Sequence, residues 1–207
     1  MSDAAYRETV LDGETKFDGQ IITVERWRVR LPDGREAARE IVLHKGAAAV
    51  VPVDQQGYVT LVRQHRVAID EMMLEIPAGK LDFEGEDPFA CAQRELLEET
   101  GLQAGKWHKL AHVVTTPGFC TERIALYLAT ELRQSAPRPD ADEFLNTLRL
   151  PLSEAVAQVF QGKITDAKTC LGLLMAQQAL GAPLFRSTPE ARYPRQHQGI
   201  WPRAQKG

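Results

Sequence analysis

Between Asp87 and Gly101 the segment DPFACAQRELLEETG carries its own start and stop signals, which confine it to a single helix. An aspartate at the cap accepts from unpaired backbone N–H groups, a proline suits the first helical position, and a glycine takes the left-handed conformation that ends the run. Ala92, Leu96 and Leu97 supply an apolar side, with Phe89 and Cys91 near the start. Arg94, Glu95, Glu98 and Glu99 then crowd into about two turns, and carboxylates at i, i+3 and i+4 project from one face. Like charges so placed repel. A hard divalent cation such as Mg²⁺, which takes oxygen ligands in near-octahedral geometry, converts that repulsion into attraction. The plainer alternative is a solvated acidic face. Upstream, Leu74-Glu75-Ile76-Pro77-Ala78-Gly79 reads as a strand running into a loop, and the loop is expected to lie over the carboxylates.

The residue pattern resembles the Nudix box, which runs Gly, five residues, Glu, seven residues, then Arg-Glu-apolar-x-Glu-Glu-x-Gly-apolar. Gly79 opens it here, Glu86 follows, and Arg94-Glu95-Leu96-Leu97-Glu98-Glu99-Thr100-Gly101-Leu102 completes it. Six residues rather than five separate Gly79 from Glu86, and the extra one falls within 81–85, a turn that leaves the helical carboxylates untouched.

With 207 residues, 43% hydrophobic and 26% charged, the chain is long enough for one substantial core. A net charge of −3 supplies no basic field for long nucleic acid. No stretch approaches the roughly 20 apolar residues of a membrane span, and no signal peptide is visible. Cys91, Cys120 and Cys170 are odd in number and lack CxxC spacing, which points to a reducing cytoplasm rather than a disulfide framework or zinc site.

Three regions are expected: N-terminal strands over 1–45, a catalytic domain over 46–182, and an extended, proline-containing tail over 183–207. In the first, Ile22 to Leu31 and Arg35 to His44 read as a hairpin turned by Pro32-Asp33-Gly34. A lone hairpin is marginal in water, so it must lie on the main domain or a second subunit. Trp27 is either a packing residue or a platform for a base. Ala47 to Val53 and Tyr58 to Arg63 are apolar runs suited to buried sheet. At the end of the second, Arg66 is a surface charge or a bidentate grip on phosphate. Trp107 to Val114 and Ile124 to Leu132 read as strands joined by a loop containing Pro117, Gly118 and Phe119, which suits the wall of a ligand cleft. Cys120 in that loop has no base placed beside it by any motif. Residues 133–147 read as a polar connection whose acids, Asp140, Asp142 and Glu143, are either solvated or a source of catalytic base. Two helices follow, Ser153 to Gln161 stopped by Gly162, and Asp166 to Leu180 capped by Thr165 or Asp166.

Beyond the box, Gln64-His65-Arg66, Glu75-Ile76-Pro77-Ala78-Gly79-Lys80-Leu81, Pro117-Gly118-Phe119, Asp142-Glu143-Phe144 and Gly162-x-Ile164-x-Asp166-Ala167 resemble the ADP-ribose pyrophosphatase branch of dimeric Nudix hydrolases. The resemblance implies an α/β/α sandwich around a mixed sheet, with the N-terminal hairpin involved in dimerisation. It implies Mg²⁺, with Mn²⁺ as an alternative ion, held by the carbonyl of Ala78 and by Glu95, Glu98 and Glu99. Arg94 would orient these acids, and Glu143 would serve as a base or water-orienting group. Arg66 would contact the diphosphate, Glu75 a ribose or metal-bound water, and Arg39 and Glu40 the adenosine half, beside the Gly118-Phe119 wall. The implied reaction splits ADP-ribose or a related nucleoside diphosphate sugar. Competing expectations are a dinucleotide or GDP-sugar substrate, or a ligand-sensing domain without catalysis.

Overall fold

The structure, a computed structural model, describes residues 3–83, 85–135 and 146–181. Among these the chain divides into two compact units: residues 3–45 with 114–122, and residues 46–113 with the described part of 123–186.

In the first unit, β1 (Thr9–Asp18), β2 (Ile22–Arg30) and β3 (Glu36–His44) form an antiparallel sheet in that order. The turn at Pro32-Asp33-Gly34 is where the sequence puts it: Gly34 sits at φ 87° and donates its N–H to Leu31 O at 3.0 Å. The expected hairpin is corrected to three strands. β1 reads TVLDGETKFD and is exposed along nearly all its length, so no apolar alternation marks it. It is held instead by its backbone ladder, with irregularities between Val10 and Asp12 and between Thr15 and Phe17, and by Asp12 pairing with Arg28 across the strands. Trp27 packs. Its ring lies where a Cβ on Gly13 would come within 2.7 Å, and its Nε1 donates to Glu25 Oε2 at 2.5 Å. The 114–122 segment joins this unit through Val42 N–H donating to Phe119 O at 2.7 Å and Thr121 N–H to Val42 O at 2.9 Å.

The second unit contains β4 (Ala47–Pro52), β5 (Tyr58–Arg66), β6 (Glu71–Glu75), β7 (Ala78–Lys80), α1 (Pro88–Thr100), β8 (Leu102–Val114, whose last residue belongs to the first unit), β9 (Arg123–Gln134), β10 (Asn146–Pro151), α2 (Leu152–Phe160) and α3 (Ala167–Gly181). A four-stranded sheet runs β7-β4-β9-β8, mixed because β4 and β9 are parallel while β7 returns antiparallel. An antiparallel sheet runs β10-β5-β6. β4 is buried on both faces, which is why its sequence is an unbroken apolar run. Ala48 and Val50 face α1 through Cys91, Ala92 and Leu96, while Ala49 and Val51 face the larger core with Leu61, Ile76, Leu126 and Leu173. The result is a mixed α/β fold with helices on both sides of the mixed sheet, as expected. Leu96 is wholly buried, and burial of such a side chain contributes about 2–3 kcal/mol.

Two sequence readings shift. Ala78-Gly79 is strand rather than loop, paired with Ala48 and Ala49 of β4. The connection expected to run to residue 147 ends earlier, because β10 starts at Asn146 and pairs with β5 from Arg63 to Tyr58.

Candidate functional site

α1 forms as its caps require. Asp87 Oδ1 accepts from Phe89 N–H at 3.0 Å, Pro88 begins the helix, and Gly101 ends it at φ 68° with its N–H on Leu97 O. Its apolar side docks on the mixed sheet and turns the acidic side toward β7 and the loop after it. Two of the three carboxylates are buried, Glu95 at 6% and Glu99 at 7% exposure. Burying carboxylates is costly unless each meets donors or cations.

The partners are specific. Glu99 Oε2 accepts from Ala78 N–H at 3.0 Å, joining helix to β7. Arg94 Nη1 donates to Glu95 Oε1 at 2.7 Å and to Glu98 Oε2 at 3.2 Å, so both acids reach the same nitrogen. Arg94 Nη2 lies 3.4 Å from Lys80 O and from Asp82, and 3.7 Å from Glu86. Glu86 in turn accepts from Asp82 N–H at 2.6 Å, so the extra residue in the loop leaves Glu86 at the edge of the cluster. Gly79 leaves room for the Glu95 carboxylate as it stands, since a Cβ there would overlap it and push it aside. Burial works against the charge on Arg94, but attraction from Glu95 foremost, with the hydrogen bond to Glu98, outweighs it and raises the pKa of the guanidinium.

Among the described residues, Arg94 thus pairs with four carboxylates, Asp82, Glu86, Glu95 and Glu98. No three Asp, Glu, His or Cys side chains among the described residues stand ready to hold a metal as they are; Arg94 bonds to both Glu95 and Glu98, and Glu99 accepts from Ala78 N–H. The donor set nonetheless fits a hard divalent ion. It is all oxygen, two of its carboxylates are buried, and the strand beside it is kept clear by a glycine.

A second charged cluster lies at the ends of β5 and β6. Arg66 donates through Nε to Glu75 Oε1 at 2.6 Å and through Nη2 to Oε2 at 2.7 Å. Lys168, from α3, also donates to Glu75. Burial raises the Glu75 pKa, yet the hydrogen bond from Arg66 and the charge of Lys168 prevail, and the carboxyl is held below its ordinary value. Arg66 is raised, first by that same bond, and Glu99 adds to it. Lys168 is a residue that sequence reasoning missed.

The first unit gathers the remaining described candidates. Arg39, Glu40, Gly118 and Phe119 line one cleft of about 570 Å³, together with Val24 and Arg26, which the sequence did not single out. Arg39 is held by Glu8, to which its Nε donates at 3.1 Å, and Phe119 is half exposed. β2 and β3 place Arg26 opposite Glu40, the register that could have pointed to it. Glu143, with Asp140 and Asp142, lies outside the described residues.

Comparison with known proteins gives a consistent picture. The model of the NUDIX domain matches residues 43–169. The chain is 39% identical over 167 residues to the ADP-ribose pyrophosphatase of Mycobacterium tuberculosis, covering 79% of this chain and 80% of that protein. It is 37% identical over 179 residues to the methanol dehydrogenase activator of Bacillus methanolicus, covering 84% of this chain and 96% of that one. A solved structure described as an ADP compounds hydrolase shares the fold with a TM-score of 0.74, at 23% identity, over 84% of this chain and 95% of the other. No helix among the described residues is long and apolar enough to cross a membrane.

Proposed function

This chain belongs to the Nudix hydrolase family, and from that premise we propose that it splits the diphosphate bond of ADP-ribose, or a related nucleoside diphosphate sugar, giving AMP and ribose 5-phosphate. The observation that carries the reading is the convergence of Glu95 and Glu98 on one Arg94 nitrogen beside the buried Glu99. The likeness to a relative bearing the ADP-ribose pyrophosphatase name supports the choice of substrate.

Nudix hydrolases work with divalent metal ions, and Mg²⁺ is the ion proposed here, with Mn²⁺ as a substitute. Such an ion neutralises the anionic oxygens of a diphosphate, activates water and stabilises the departing phosphate. Glu95, Glu98, Glu99 and the Ala78 carbonyl would hold it. Arg94 keeps the acids oriented through its ion pairs. Arg66, anchored on Glu75, presents a guanidinium that suits the diphosphate. Arg39, Glu40, Gly118 and Phe119 are assigned to the nucleoside half, and Glu143 to orienting or deprotonating the attacking water. A homodimer built through the N-terminal strands belongs to the same proposal. So does a cytoplasmic location, which suits three free cysteines.

The test is a product assay with Mg²⁺ across ADP-ribose, ADP-glucose, GDP-mannose and NADH. Fastest release of AMP from ADP-ribose supports the reading. Preference for another member of the panel moves the substrate, and binding without turnover of any of them replaces catalysis with ligand sensing.

A further inference from the structure

Glu75 is the least exposed charged side chain among the described residues, at 2%. A lone arginine partner would neutralise it and form a closed ion pair. Instead two cations converge on it, Arg66 through two hydrogen bonds and Lys168 through a third. Lys168 is held in place by the first turn of α3. Asp166 Oδ2 accepts from Lys168 Nζ at 3.1 Å, from Thr169 N–H at 2.9 Å and from Thr169 Oγ1 at 2.6 Å. Thr169 Oγ1 accepts in turn from the N–H of Ile76, the residue after Glu75, at 2.9 Å. The turn of α3 and the end of β6 are therefore tied together around the carboxylate. Arg66 spends Nε and Nη2 on Glu75, and its side chain stays 42% exposed.

We propose that Lys168 is a positioning residue for substrate: acting through Glu75, it fixes the Arg66 guanidinium and leaves part of its charge for the diphosphate oxygens. This rests on the assignment of Arg66 to the diphosphate above. With Lys168 supplying a second positive charge, Glu75 is satisfied without consuming Arg66 entirely. Without it, Glu75 draws wholly on Arg66, and the guanidinium is no longer held where it can also face an anionic substrate.

The experiment compares Lys168→Met, which keeps the aliphatic stem and removes the charge, with Lys168→Arg, which keeps the charge. Inorganic pyrophosphate titrated calorimetrically into the full chain without divalent metal reads the anion grip apart from turnover. KM and kcat for ADP-ribose read it within the reaction. Lys168→Met is expected to weaken pyrophosphate binding and raise KM roughly tenfold, with kcat changed by less than about threefold, and Lys168→Arg to restore both. In a Glu75→Gln background the Met substitution is expected to change either quantity by less than about twofold, because its route to Arg66 is cut. Unchanged pyrophosphate affinity in folded Lys168→Met overturns the proposal. So does a full effect that persists in the Glu75→Gln background, which would mean that Lys168 touches the anion itself. Lys168→Gln, read by the same criteria, replaces the Met variant if that one does not fold. If the parent chain turns over no nucleoside diphosphate sugar, the substrate assignment fails alone and the pyrophosphate titration still decides the role of Lys168.

Discussion

Glu95 and Glu99 of α1 and Glu75 at the end of β6 are all buried, but their surroundings solve the problem of burial in opposite ways. Around α1, among the described residues, Arg94 lies within 4 Å of Asp82, Glu86, Glu95 and Glu98, so the acids outnumber the guanidinium they share. At Glu75, Arg66 and Lys168 stand over one carboxylate with Asp166 behind them, and the charges balance. A surplus invites a cation. A balanced network holds its members still, which is what a side chain aimed at an anionic substrate requires.

The sharpest way to break this contrast is to neutralise acids of each cluster one at a time. Glu99→Gln is expected to lower kcat about a thousandfold, as loss of a charge-stabilising group does, while its thermal midpoint stays close to that of the parent. Turnover near the parent level would remove Glu99 from the chemistry. Glu75→Gln should act mainly on stability, by about 3 kcal/mol at pH 7, since it leaves Lys168 and Arg66 without their buried partner. The sign with pH follows from the direction of its shift. A carboxyl held below its ordinary value of 4.5 gives its full stabilisation above that value and loses it as pH falls through the lower folded-state value. Denaturant melts of parent and Glu75→Gln should therefore converge on acidification from about pH 4.5 downward. By contrast, Glu98→Gln is expected to be neutral or stabilising by about 0.5 kcal/mol, because it relieves repulsion within a surplus. Equal losses of stability in the Glu75 and Glu98 variants would erase the distinction between the clusters.

Gly79→Ala sharpens the same contrast through shape. The new Cβ displaces the Glu95 carboxylate, the far end of a flexible side chain, so the fold should survive while activity falls about a hundredfold, the scale of a displacement near 1 Å. Kinetics combined with circular dichroism checks it, and normal turnover would show that Glu95 need not sit where it does.

The parts of this molecule that a reader of the sequence can find are those whose signals are local. Asp87, Pro88 and Gly101 mark α1 within fifteen residues, and Asp166 and Gly162 mark the helices after it in the same way. The box acids follow from spacing alone. β1 was hidden because a polar, exposed edge strand has no apolar period and is specified by its pairing with β2. β10 starts inside a polar stretch and is fixed by β5, more than eighty positions earlier. Lys168 was hidden for the same reason, since its partner Glu75 is 93 residues away and nothing near Lys168 sets it apart from a surface lysine. Arg66 and Glu75 were both singled out, but their pairing depends on the register of β5 with β6, which places Arg66 opposite Glu71 and leaves its side chain to reach along the strand.

The most direct measurement is a titration of Mn²⁺ into the substrate-free chain, followed by its paramagnetic signal, in the parent and in a Glu95→Gln, Glu99→Gln double variant. The parent should bind the ion at the acids of α1, drawing them from Arg94 and the Ala78 amide, and the double variant should lose that binding. Equal binding by both proteins would contradict the account, because the surplus of negative charge on α1 would then not be what receives the metal.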